Sequence, residues 1–285
     1  MKSVYIDTQQ IHSNSDNTLG YYITATDGLD MPSMRVPTYD KPGEFGAFVS
    51  NQLYGRRLVT FEGEVFGSSL TDFQSKRRAL ENAIQIVKDS NSIPVAKTLK
   101  FTTMDDLALQ ASCYMQKFVM KIDIGMWSAK YMMELICPDF GLESQNLSTI
   151  VITTPGGGGA VYPVIYPVIY AAGSGGLATV VNNGNTNAYP IITLNGLLTN
   201  PVILNVTTGR YISLGITIGA SDTPVVIDMK NKTILQGSTP VIGDKNFGSD
   251  WWWLASGSNL IQVTTGNISD TGNVSISYRD TYIGI

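Results

Sequence analysis

The chain has 285 residues, of which 43% are hydrophobic and 15% charged. That composition describes a globular chain of one large or two modest domains and excludes a disordered one. A net charge of -4 gives no strong pull toward nucleic acid or an anionic membrane. No apolar run is long enough to span a bilayer. The start, Met1–Asp7, has no continuous apolar stretch and no small-residue cleavage site, so neither membrane anchoring nor a secretory signal is expected.

His12, the single histidine, lies in a polar stretch with Ser13, Asn14, Ser15 and Asp16, and reads as a solvated loop or strand-end residue. The segment Arg57–Phe66 alternates apolar and polar residues as a half-buried strand does. It puts Glu62 and Glu64 on one face. Ser69 with Asp72 three residues on marks a helix start. Phe73, Leu80, Ala83, Ile84 and Val87 then recur at helical intervals, with Lys76, Arg77, Arg78, Glu81 and Lys88 opposite, until Asn91 and Pro94 end the run. Strand patterns follow at Thr98–Phe101, Leu109–Ile124 and Trp127–Cys137. One helix among several strands predicts an α+β first domain with a mainly antiparallel sheet. Cys113 and Cys137 sit in separate predicted strands without metal-ligand spacing and read as free, half-buried thiols, with a cross-strand disulfide as the alternative. Large residues from Met115 to Met133, with Met126 and Trp127 among them, read either as core or as a patch for a neighbouring subunit.

Charge falls sharply at about residue 150. Residues 1–150 hold 14 Lys/Arg and 17 Asp/Glu, residues 151–285 only 5 and 6, and no Glu follows Glu143. Two domains with different surfaces are expected: 1–145, a linker and edge segment 146–175, and 176–285. The four glycines Gly156–Gly159 read as a connection. The repeat Tyr162–Ile165 and Tyr166–Ile169 carries a Pro in each copy, which suits edge strand or extended linker. Beyond it, nine runs read as strands: Thr179–Val181, Pro190–Leu194, Val202–Val206, Tyr211–Ile218, Val225–Asp228, Thr233–Leu235, Trp251–Leu254, Leu260–Val263 and Val274–Tyr278. Asn-Gly, Thr-Gly and Ser-Asp pairs punctuate them, and the whole predicts a two-sheet antiparallel sandwich. In Trp251–Trp253, alternation sets Trp252 opposite its neighbours. At least one indole then faces out or lies in an interface, as a protein or glycan contact or as the partly covered rim of a core tryptophan.

The ordered motifs resemble the distal tail proteins of long-tailed, non-contractile bacteriophages. In the first half they are Glu62–Gly67, Lys76–Leu80, Leu99–Phe101 and Cys137–Phe140. In the second they are Asn183–Asn185, Ala188–Gly196, Asn200-Pro201, Thr207–Gly209, Val226–Asp228 and Trp252–Asn259. The resemblance implies a mainly β chain with an N-terminal belt domain and a C-terminal galectin-like β-sandwich. It implies a homohexameric ring at the virion tail tip, assembled in the host cytoplasm. It also implies a tail tube protein, a tip protein and receptor-binding proteins as partners, with DNA passing only through the central channel. The second domain contains no His and no Glu, two residue types of galectin sugar sites, so a scaffold role fits better than inherited sugar recognition. A virion-attached carbohydrate-binding module using Trp251–Trp253 is the alternative.

No residue pattern announces catalysis, and no cofactor or metal is expected. One His and two separated Cys fall short of a zinc site. Glu62 with Glu64, and Asp105 with Asp106, are the paired carboxylates that a glycosidase would need, and read as a solvated face and a turn. No Lys-Ser/Thr follows Gly156–Gly159, so these are not a phosphate loop. The five Asn-x-Ser/Thr triplets, at Asn146, Asn205, Asn231, Asn267 and Asn273, are expected to be chance products of an Asn-rich chain.

Overall fold

The computed structural model describes residues 1–16, 19–123, 125–154 and 176–285. The glycine run Gly156–Gly159 and the Tyr162–Ile169 repeat lie outside the described residues. Two compact units are present: Met1–Gln145 together with Tyr282–Ile285, and Asn146–Thr281. The described residues are mostly antiparallel β-strand with one α-helix.

In the first unit, seven strands lie side by side in the order Gln9–Ser13, Ser3–Ile6, Lys97–Thr102, Ala108–Asp123, Ser128–Cys137, Arg57–Phe66 and Tyr21–Asp27. The long strand Ala108–Asp123 joins the two halves. Its first part pairs with Lys97–Thr102 and its last part with Ser128–Cys137. A bulge between Met115 and Lys117 marks the change. The alternation of Arg57–Phe66 is realised in full: Val59, Phe61 and Val65 enter the core while Leu58, Glu62 and Phe66 face out. Gly63 is required there, because a Cβ would fall 2.5 Å from the Tyr22 carbonyl and 2.6 Å from the Tyr131 ring.

The helix runs Leu70–Ile84, with the Ser69 hydroxyl accepting the Asp72 N–H at its start. Phe73, Leu80 and Ile84 are its buried stripe. It ends a turn earlier than the periodicity predicts, so Val87 is exposed and not core. Beyond Gln85 the chain doubles back on itself. Val95 donates to the Val87 carbonyl, Asp89 to that of Ile93, and the Asp89 carboxylate caps the N–H groups of Asn91 and Ile93. A local turn built on Asp89 outcompetes a last helical turn containing β-branched Ile86 and Val87.

In the second unit, a six-stranded sheet runs in the order Ser148–Thr153, Asn273–Tyr278, Ile191–Asn195, Val225–Asp228, Thr233–Gln236 and Thr239–Pro240. A four-stranded sheet runs Leu177–Asn182, Gly257–Thr264, Val202–Asn205 and Arg210–Ser213. Both send residues into one core, with Ile192, Ile227 and Ile276 from the first and Val180, Ile203 and Ile261 from the second. Ser148–Thr153 is therefore an edge strand of this unit, within the segment read as linker and edge. The run read as one strand over Tyr211–Ile218 divides at Gly215 into Arg210–Ser213 and Thr217–Ile218, in different sheets. Trp251–Leu254 is not a strand: Leu254 makes a single bridge to Ala188 and the rest is unpaired in any ladder.

Candidate functional site

The Trp251–Trp253 segment is held by amides in place of strand neighbours. Three asparagines, Asn182, Asn205 and Asn259, are completely buried. The Asn205 amide donates to the Trp253 carbonyl at 3.1 Å. Asn182 donates to the Leu254 and Ala255 carbonyls at 3.4 Å. Asn259 accepts the Ala255 N–H at 2.9 Å and returns its own N–H to the Ala255 and Gly257 carbonyls. A buried backbone must find partners somewhere, and here side chains supply them. The sequence reading gave these asparagines no such role. The signal available was their position at strand ends flanking the tryptophans. Asn205, one of the Asn-x-Thr acceptors, is thereby closed to modification.

The alternation expected of the three indoles is present although the segment is not a strand. Trp252 is 0% exposed and packs in the core. It cannot contact a partner, which removes it from the candidate contact residues. Trp251 and Trp253 are half-buried. The Arg210 guanidinium lies 4.4 Å from the Trp253 ring centroid, and Tyr189 meets that ring edge-on at 6.5 Å. Lys245 sits 5.9 Å from Trp251. Arg210 thus covers one face of the Trp253 ring, and Trp, Tyr and Arg stand together, residue types enriched at protein interfaces.

The other candidates separate in space. His12 is a buried strand residue and not a solvated one: it pairs opposite Val4, its Nδ1 accepts the Ile23 N–H at 3.2 Å, and its Nε2 meets Asn14 Oδ1 at 3.1 Å. Those partners require a neutral ring with the proton on Nε2. Burial lowers its pKa accordingly. The polar neighbours in sequence gave the wrong impression because Ile11–Ser13 all turn inward. Glu62 and Glu64 do share a face, lining a shallow hollow of about 600 Å³ with Lys117, Lys121 and Lys130. Lys130 bridges to Glu64 at 3.3 Å. The carboxylates are interleaved with ammonium groups on an open sheet face and do not confront each other across a cleft. Asp105 and Asp106 form a turn, Asp105 accepting from the Thr103 hydroxyl, which lowers its pKa, and Asp106 pairing with Lys2.

Cys113 and Cys137 are free and fully buried, beyond the half-burial expected. Burial pushes their thiols up to about 12 and about 11. Of the large residues from Met115 to Met133, Tyr131 and Met133 are core, Met115, Phe118 and Met120 pack against it, and Met126 and Trp127 are exposed at the hairpin tip. Among the described residues, no three His, Cys, Asp or Glu side chains are grouped so as to hold a metal ion. No helix among them is long and apolar enough to cross a membrane.

Residues 183–282, which carry the tryptophans with Asn205 and Asn259, match the family model of the siphovirus-type tail component, C-terminal domain. The chain is also similar to the SPP1 phage Dit protein, described as a paradigm of the hub adsorption apparatus in phages that infect Gram-positive bacteria. That likeness has 12% identity, a TM-score of 0.67 and 98% of each chain covered. A chain in the activated phage p2 baseplate with Sr is similar at 12% identity and a TM-score of 0.50, covering 96% of this chain and 97% of that one. No curated protein matches the chain. The family match thus spans residues 183–282, and the likeness in fold to SPP1 Dit covers nearly the whole chain.

Proposed function

We propose that the chain is a distal tail protein, a non-enzymatic structural subunit of the phage virion. In this reading, copies close into a ring that joins the tail tube to the tip and adhesion apparatus. The observation that carries it is the shared fold with SPP1 Dit over 98% of both chains, joined to the independent family match of residues 183–282. Residues 1–145 then act as the belt domain around a central channel for DNA, residues 146–175 as linker and edge, and 176–285 as a galectin-like β-sandwich facing outward. Two antiparallel sheets sharing one core support the sandwich assignment. The partners are the tail tube protein, the next tip protein and receptor-binding proteins. Trp251 and Trp253 are a contact for such proteins in preference to a glycan, supported by Arg210 over the Trp253 ring with Tyr189 beside it, and by the absence of His and Glu among residues 151–285. The interleaved Lys and Glu of the sheet face around Glu62 and Glu64 supply no dense basic surface to arrest DNA.

Light scattering of the purified chain tests this. A closed hexamer has six times the chain mass of 30.9 kDa, with a central hole in electron micrographs. A species that stays monomeric at high concentration refutes it.

A further inference from the structure

The first unit carries an arm that nothing in the unit covers. From Ser33 to Tyr54 every residue is exposed except half-buried Lys41. The segment is nonetheless folded. Met34–Arg35 pairs with Leu53–Tyr54, and Thr38–Asp40 with Ala47–Val49. The Lys41 N–H closes the tip on the Gly46 carbonyl. Its base is fixed by Gly55 donating to the Ser33 carbonyl, by the Ser33 hydroxyl on the Arg56 carbonyl, and by Tyr54 stacked on Phe140 at 5.4 Å. A two-stranded ribbon alone is marginal in water, and this one bears apolar residues on both faces: Tyr39 opposite Phe48 on one, Val49 on the other.

The exposed area is large enough to decide the matter. Tyr39 is 64% exposed, Phe45 104%, Phe48 60% and Tyr54 38%. At ~200 Å² for a whole aromatic side chain, these four leave roughly 500 Å² uncovered. A stable interface needs about 800 Å² per partner, and Met31, Met34, Val49 and Leu53, all exposed, supply further apolar surface. The same unit offers a different apolar feature to receive it. A groove of about 180 Å³ is lined mainly by apolar residues, among them Ile86, Val95 and Met115, with Gln85 and Lys97 as its polar members, and Val87 and Ile93 are also exposed. It exists because the helix stops at Ile84 and the chain doubles back.

We propose that the hairpin 34–54 is an intersubunit arm that seats in the groove beside Ile86 and Val95 of an adjacent copy of this chain. Two unlike patches on one chain make a head-to-tail contact, which propagates from copy to copy and closes when the rotation permits. The proposal rests on the ring reading above and names the contact that builds it.

Two measurements on the full chain decide it. Tyr39→Ser with Phe48→Ser, both surface changes, leaves the circular dichroism spectrum and urea midpoint unchanged while the mass in light scattering falls from the ring to one chain. Separately, Phe48→Cys chains mixed with Ile86→Cys chains give a disulfide-linked dimer on a non-reducing gel, which neither chain gives alone. The native thiols are buried and do not compete. A ring that survives both serines, with no cross-link, overturns the proposal and leaves the ring reading standing, with the arm reaching a different tip protein. A wild-type chain that is monomeric refutes the ring reading. The cross-link then judges the arm by itself, and its absence overturns it.

Discussion

Trp252 gives the sharpest test of how the second unit is held together. Its indole is fully buried and its Nε1 has no hydrogen-bond partner. Truncation to Ala removes the largest fully buried side chain and leaves a cavity, costing ~3–5 kcal/mol. At about 0.05–0.15 kcal/mol per residue, a unit spanning Asn146–Thr281 holds roughly 7–20 kcal/mol, so the loss is a sizeable fraction. With a urea slope of ~2 kcal/mol/M, the unfolding midpoint of this unit falls by ~2 M. Trp252→Phe keeps most of the ring and loses no hydrogen bond, so it costs only ~1–2 kcal/mol. Trp253→Ala removes the Arg210 contact at the surface and costs ~0.5–1 kcal/mol. The assay is urea unfolding with hydrogen exchange read on peptides from Gly257–Thr264 and Val202–Asn205, which separates this unit from the other. A Trp253→Ala variant as unstable as Trp252→Ala refutes the inward and outward assignment. A Trp252→Phe variant as unstable as Trp252→Ala refutes the claim that the indole N–H contributes no bond.

Three further outcomes follow from buried polar groups. The folded pKa of His12 lies below the unfolded value of 6.5, so its contribution is full above 6.5 and is lost as the pH falls from there through the folded value. The urea midpoint of the first unit drops across that window in the wild type, and this component of the drop is absent in His12→Gln. Cys113 and Cys137 stay unreactive toward a thiol reagent at pH 8 in the folded chain and react once urea exposes them, because burial holds both as thiols. Arg57, 1% exposed, donates to the carbonyls of Gly28, Asp30, Phe140 and Ile283. Lysine cannot reproduce that fork, and losing two charge-assisted bonds at ~1.5–3 kcal/mol each makes Arg57→Lys destabilise the first unit by ~3 kcal/mol or more in urea titration.

What the sequence reveals depends on the range of the interaction. The alternation of Arg57–Phe66 and the cap at Ser69 are local, so both are readable from spacing and both are present. The helix end is less so, because a carboxylate at Asp89 competes with the last turn through bonds that periodicity does not register. His12 defeats local reading altogether: its burial comes from pairing opposite Val4 and from Ile23, eleven residues away. The arm is similarly invisible. Residues 34–54 carry Pro37, Pro42, Gly43 and Gly46, which obscure two short ladders, and only the folded structure shows that their apolar side chains lack cover. At Trp251–Trp253 the period-two pattern separates buried Trp252 from its half-buried neighbours although no strand ladder forms there, and asparagine amides take the Trp253 and Leu254 carbonyls and the Ala255 N–H.

The split of charge along the chain extends to how each unit satisfies its interior. The first unit gathers four irregular carbonyls with one guanidinium, at the cost of burying a cation, and that burial works against its charge. The second unit performs the same task with Asn182, Asn205 and Asn259. A neutral amide both donates and accepts, so Asn182 serves the Leu254 and Ala255 carbonyls through Nδ2 and the N–H groups of Gly184 and Thr281 through Oδ1. It carries no ionic desolvation cost and no titration. The second unit does keep one buried carboxylate, Asp270, which accepts from the Thr199 N–H and hydroxyl. The amide that accepts no proton in this range holds the Trp253 carbonyl independently of pH, while the first unit keeps His12 as its titrating point.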